Sequence, residues 1–231
     1  MTLLSVVKDV CATVGVLQPQ SVFSNITGNR TMQEMLSLAN EMAQRIAYDY
    51  RDWTKLRTLT TIVGDGETTA FDLPANYKRM LLTSDVWLST STQTPMAFIA
   101  DTEEWIKRRI NEATFGTWGE WTMLGGQIHI WPAMAAATDT MPAVTATFSY
   151  LDKNCIELAS GGRGDAFMAD NDRFALDERL LKLGMIWQWK AQKGSPYAED
   201  MGTYGDALAN VMGRDQPAPI ILSRPAAAGS W

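Results

Sequence analysis

Little in this chain invites chemistry at a single centre. Of 231 residues, one is histidine, His129, and two are cysteine, Cys11 and Cys155. Without a second histidine or a nearby cysteine, His129 lacks the ligand set a metal ion needs. The cysteines lie far apart and form no C-x-x-C motif, so no disulfide framework is expected and a reducing compartment is the default. No apolar run approaches the ~20 residues of a membrane span. The opening MTLLSVVKDV lacks the basic n-region and long apolar core of a signal peptide. Positive charge is also short. Twenty Lys and Arg stand against 26 Asp and Glu, a net charge of −6, which argues against a basic patch for nucleic acid.

Motifs of group-transfer chemistry are missing too. There is no G-x-S-x-G, Walker A or G-x-G-x-x-G pattern. Gly161-Gly162-Arg163-Gly164-Asp165 lacks the preceding strand and following helix of a phosphate loop, and its Arg-Gly-Asp tripeptide is common by chance. Carboxylates are plentiful, but none pair as an evident acid and base. No catalytic residue, metal or cofactor is therefore assigned.

What the chain has is apolar surface. Apolar residues make up 46%, with nine Trp and thirteen Met. That length and composition can bury a sizeable core, and Trp and Met favour broad contact surfaces. Thr2–Val14 reads as a helix capped by Thr2 and ended by Gly15, with Cys11 on its apolar face. Thr31–Arg51 reads as a second, with Thr31 and Glu34 as a capping box. Its apolar face holds Met32, Met35, Leu36, Ala39, Met42, Ala43, Ile46, Ala47 and Tyr50. The Asn25-Ile26-Thr27 sequon would matter only in a secreted protein.

From about 55 to 158 the pattern turns to strands. Leu56–Val63 and Thr68–Leu73 flank Gly64–Glu67 and suggest a hairpin. Leu81–Leu88 is a further expected strand. Asp101–Asn111 is a short helix with Trp105, Ile106 and Ile110 inward and Lys107, Arg108 and Arg109 as a solvated basic face. Glu120–Leu124 and Gln127–Trp131 flank Gly125-Gly126, a strong hairpin signal. Pro142–Leu151 alternates as a strand, and Ala159–Asn171 is a loop.

Leu176–Gly194 is the helix the rest is organised around. Asp177 starts it; Lys190, Lys193 and Gly194 end it. Leu176, Leu180, Leu183, Trp187 and Ala191 form one stripe, beside Gly184, sufficient to pack it into its own domain. Leu181, Met185 and Trp189 form a second, well round the cylinder. Either the helix is internal to a bundle, or the second stripe meets another copy of the chain. Leu181, Met185 and Trp189 are accordingly the expected subunit interface. After Lys193-Gly194, Ser195 as cap and Pro196 as first residue open a further helix carrying Tyr197, Met201, Tyr204, Leu208 and Val211. Residues 214–231, with Pro217, Pro219, Pro225, an Ile220-Ile221-Leu222 cluster and Trp231, read as a docking arm.

The fold expected is α+β. Residues 1–53 and 172–213 make a discontinuous helical bundle, 54–171 a mostly antiparallel β-rich insertion with a long loop, and 214–231 an extended C-terminal arm. This order of parts resembles the head–tail adaptor (connector) proteins of tailed bacteriophages. The resemblance is carried by the Thr-Leu-Leu helix, a second helix closing on Asp52-Trp53, and Phe71-Asp72-Leu73-Pro74. It continues through Leu124-Gly125-Gly126 and Leu183–Lys190 with Tyr197-Ala198-Glu199-Asp200. It implies a ring, typically of twelve copies, between the portal protein and a tail-side nozzle or stopper. DNA would pass through the channel without specific binding. The place would be the virion head–tail interface, after assembly in the host cytoplasm. Ile220, Ile221, Leu222 and Trp231 are the residues expected to touch the portal. The alternative from another class is a carbohydrate-binding or cell-wall-acting tail component using Trp87, Trp105, Trp118, Trp121 and Trp131.

Overall fold

A computed structural model describes residues 1–24, 26–82, 84–91, 93–111 and 118–215. The fold is α+β. Helix α1 spans Leu3–Val14. Thr2 and Ser5 cap it reciprocally, and Gly15 leaves it in the left-handed region at φ 74°. Helix α2 spans Arg30–Tyr48, and its cap differs from expectation. Asn29, not Thr31, accepts the amide of Met32. Glu34 is thereby released to pair with Arg30 and with Lys193. Its buried face gains Leu38, whereas Tyr50 lies beyond the helix and is exposed.

Helix α4 spans Glu178–Gln192 with Asp177 as cap, and α5 spans Ala198–Arg214. The cap of α5 is another correction. Tyr197 holds the position and donates no side-chain cap, so Ser195 and Pro196 belong to the connecting turn. Helix α4 packs against α1, α2 and α5 together. It is the central rod of the bundle, and that explains its two apolar stripes. Gly184 lets Met42 of α2 pack close here: a Cβ would sit 2.4 Å from the Met42 side-chain tip, which would have to turn aside.

Among the described residues the strands make two four-stranded sheets and one small sheet. Sheet A contains β1 (Arg57–Val63), β3 (Tyr77–Met80), β4 (Trp87–Leu88) and β8 (Thr145–Asp152). Sheet B contains β2 (Ala70–Asp72), β5 (Ala97–Phe98), β6 (Glu120–Leu124) and β7 (Gln127–Trp131). The β6–β7 hairpin forms as expected, with Gly125 and Gly126 at φ 59° and 81°. The expected β1–β2 hairpin does not form. Strand β1 pairs with β8, and β2 pairs with β7 in the other sheet. The Gly64 and Gly66 amides instead bond the carbonyls of Val144 and Met134, docking this loop on a distant segment. A Cβ on Gly64 would lie 2.5 Å from the Met134 carbonyl oxygen, so this approach needs glycine. Most of 81–88 is irregular; only its end, β4, is strand.

The sheets face each other over a core that includes Trp121, Ile128, Ile130, Ala146, Phe148 and Tyr150. The opposite face of sheet B lies under α3 (Thr102–Ile110). The small sheet, β9 (Ile156–Glu157), β10 (Arg163–Gly164) and β11 (Arg173–Phe174), belongs elsewhere: Ile156, Phe167 and Phe174 pack into the helical core. Much of the expected 159–171 loop is thus pinned. The buried Asp172 carboxylate accepts the amides of Ala159, Met168 and Ala169 at 2.8, 2.6 and 2.7 Å.

Candidate functional site

The residues expected at the subunit interface are inside the chain's own core. Leu181 is 1% exposed, Met185 0% and Trp189 6%. The assignment is corrected: these side chains meet α1, α2 and the small sheet's neighbourhood in one cluster, and no second copy is needed to cover them. The stripe chosen for internal packing is the shallower one. Leu176, Leu183, Trp187 and Ala191 are only partly buried, and Trp187 stacks with Tyr197 and Tyr204 at 6.4 and 6.2 Å. Ile220, Ile221, Leu222 and Trp231 lie outside the described residues.

The tryptophans of the β region do not form one platform. Trp121 is in the sandwich core and Trp105 is the buried residue of α3. Trp105 and Trp131 bracket Arg109, whose guanidinium carbon lies 4.4 and 4.7 Å from their ring centres. The expected solvated basic face is also corrected. Arg108 and Arg109 bond opposite oxygens of Glu120, at 2.5 and 2.7 Å, and Glu120 is 0% exposed. Burial pulls the Arg109 guanidinium below its ordinary pKa, with Glu120 opposing that pull. Arg108, bonded to Glu104 and Glu120, is shifted upward. Sequence reasoning missed Glu120, although an acid inside an otherwise apolar hairpin was the available signal. Ile106 and Ile110, expected inward, are exposed.

His129 alternates with buried Ile128 and Ile130 and stands edge-on to Trp105, 6.5 Å away. Among the described residues no group of His, Cys, Asp and Glu is arranged to hold a metal. Arg163 and Gly164 form β10, and Arg163 donates to the Lys55 carbonyl. A groove of about 570 Å³ between α2 and α4 is lined by Gln33, Glu34, Ser37, Glu41, Gln188 and Gln192 over Leu38. It is polar and open.

The most distinctive surface is the outer face and open edge of sheet A. Leu59, Val63 and Trp87 are 70%, 59% and 40% exposed. Thr61 and Thr147 bridge at 3.0 Å between them, and Trp87 lies opposite Thr147. Arg57, at one end, carries the only charge contributed to this face by β1. The edge follows from the register. Ser149 and Thr145 turn their amides and carbonyls toward the far side of β8, bonding Leu81, Ser84 and Ser89. Their opposites, Val63 and Leu59, and Thr61 between them, therefore send N–H and C=O groups away from β8. Strand β1 ends the sheet, and among the described residues no backbone partner meets those groups.

Beside the start of this edge α5 ends, at Arg214 with Asp215 as its C-cap. Asp215 accepts the Thr54 amide at 3.2 Å and the Thr54 hydroxyl, and pairs with Arg51 at 3.5 Å. Arg51 also donates to the Met212 carbonyl. The root of the expected arm is thus fastened to the segment leading into β1.

No protein-family model matches the chain, and no curated protein matches it. Among the described residues no helix is long and apolar enough to cross a membrane.

Proposed function

We propose that this chain is a structural subunit of a bacteriophage adaptor ring, seated between the portal and the tail-side nozzle or stopper and forming part of the DNA ejection channel. It works by assembly. The observation that carries this reading is the bare, nearly uncharged outer face of sheet A at Leu59, Thr61, Val63 and Trp87. A solitary chain gains nothing from presenting such a surface to water, whereas a ring covers it on a neighbour. The fastened root at Asp215 adds support, since an arm that clasps a portal needs a fixed origin. The family-like residues around Leu183–Lys190 supply the identity of the partners, and Ile220, Ile221, Leu222 and Trp231 remain the proposed portal contacts. Subunit contact moves from the long helix to sheet A.

Mass by light scattering tests the reading. The chain is measured alone and with the portal, with and without residues 216–231, and again as Leu59→Lys/Val63→Lys. Portal should collect many copies of the intact chain, few of the truncated one, and no closed ring of the lysine variant. A chain that stays monomeric beside portal in all forms refutes the proposal.

A further inference from the structure

The arginines of this chain divide by place. Arg30, Arg45, Arg51, Arg79, Arg108 and Arg109 each hold a carboxylate. Arg57, Arg163, Arg173, Arg179 and Arg214 form no ion pair among the described residues. These unpaired arginines gather round the 3-10 turn Thr54–Leu56. Arg57 follows the turn directly, and Arg163 donates to the Lys55 carbonyl at 3.4 Å. Arg163 and Arg173 stand opposite Glu157 on its two sides in the small sheet, so the three side chains share one face. The Lys55 ammonium reaches the Glu157 carboxylate at 3.0 Å. A recess of about 330 Å³ joins Lys55 to Arg214, and an adjoining one of about 240 Å³ adds Arg179.

The carboxylates at this end are largely engaged. Glu157 holds Lys55, Asp215 holds Arg51, and Asp177 accepts the amides of Arg179 and Leu180. Asp206, in the smaller recess, takes no cation among the described residues. The net charge of −6 is a sum over the whole chain. Acids more than about 10 Å away are screened at 0.1 M salt, so a ligand at this surface meets guanidinium in excess. We infer that this arginine belt binds the phosphate backbone of double-stranded nucleic acid, without reading its sequence.

Spacing and composition choose that ligand. Arg163 and Arg173 lie two strand spacings apart, about 9.6 Å, and Arg57, Arg179 and Arg214 extend the belt beyond them. No single phosphate or carboxylate reaches them all, whereas a polymer charged at regular intervals does. The guanidinium fork matches phosphate oxygens two at a time. An acidic protein is the competing polyanion. Protein partners are held mainly by aromatic and apolar anchors in desolvated pockets. Among the described residues no large apolar side chain is exposed on Thr54–Leu56, on the small sheet's strands, in the first turn of α4 or in the last turn of α5. A polar, positive surface without such anchors has the composition of a nucleic-acid interface. The inference stands on the arginines; joined to the adaptor reading, it names the face turned toward the DNA channel.

Fluorescence anisotropy of a labelled DNA duplex with the purified full-length chain tests it, at salt from 50 to 200 mM. Two duplexes of unrelated sequence should bind equally. With four or five phosphates contacted, affinity should fall about 100- to 500-fold across that range. Arg163→Gln/Arg173→Gln and Arg179→Gln/Arg214→Gln should each flatten the slope of log affinity against log salt by about 1.8. Arg45→Gln, which removes a guanidinium paired with Glu41 on α2, should leave the curve unchanged. Absence of binding at 50 mM salt overturns the inference. So does an Arg45→Gln loss equal to that of the belt variants, because the binding would then follow total charge. Poly-glutamate of matched charge that competes as well as unlabelled duplex also overturns it, and would assign the belt to an acidic protein. Because no portal is present, failure here is separable from failure of the adaptor reading.

Discussion

Leu181→Ala separates a core position from an interface position more sharply than any other change. Leu181 is 1% exposed within the helical cluster. Truncation removes the equivalent of about three buried carbons, roughly 2.4 kcal/mol at about 0.8 kcal/mol per methylene. Helix α4 is held from three sides by α1, α2 and α5, so the space cannot close by a simple shift. The remaining cavity adds about 1–2 kcal/mol, giving a loss of about 3–5 kcal/mol. Against a total stability on the order of 5–15 kcal/mol, that is a large fraction. Urea unfolding of wild type and variant at two protein concentrations tenfold apart provides the assay. The midpoint should fall, the slope should hold, and the shift should be identical at both concentrations. A subunit-interface residue behaves otherwise: its loss is small in the monomer and depends on concentration. A shift below about 1 kcal/mol, or one confined to the high concentration, would refute the placement of this stripe inside the bundle.

Further predictions concern the β region and the thiols. Glu120→Gln should cost about 3–5 kcal/mol in urea unfolding, because it leaves Arg109 on α3 without its buried counter-charge, while Arg108 retains Glu104. Glu120→Leu/Arg109→Met should recover much of that loss. Gly64→Ala should destabilise by about 1–3 kcal/mol through its collision with Met134, whereas Gly202→Ala, on open helix surface, should stabilise slightly. Burial pushes the Cys155 thiol up to about 11 and raises the Tyr48 phenol as well. A folded-state pKa above the unfolded one means a contribution present in full below about pH 9 and lost as pH rises toward 11. Stability by urea titration should fall across that window, with Cys155→Ala flattening part of the slope. A flat profile would count against the burial of these groups.

Legibility followed the range of the interaction. Thr2, Asp101 and Asp177 were readable as helix starts because a cap is decided within a few residues of sequence. Even there, Asn29 outcompeted Thr31 two residues earlier, since either side chain satisfies local rules. The Gly125-Gly126 hairpin was readable because its turn and both strands are contiguous. The Gly64–Glu67 turn carried a similar local signal and led elsewhere. Its neighbours were claimed by β8 and β7, whose pairing energies depend on strands far along the chain. Of the candidate site, the apolar residues of β1 were legible as a strand, but not as an uncovered edge.

By itself the sequence determined the α+β composition, the helix spans to within a few residues, the alternation that divides His129 from Ile128 and Ile130, and the isolation of the single histidine. All follow from periodicity, capping and residue count, which are properties of neighbours in the chain. Tertiary structure alone decided which stripe of α4 lies deepest, that Arg108 and Arg109 converge on Glu120, and that β1 takes β8, not β2, as its partner. Period states which residues share a face; it does not state what covers that face. That depends on which distant segment reaches it first with the larger apolar area or the only available counter-charge.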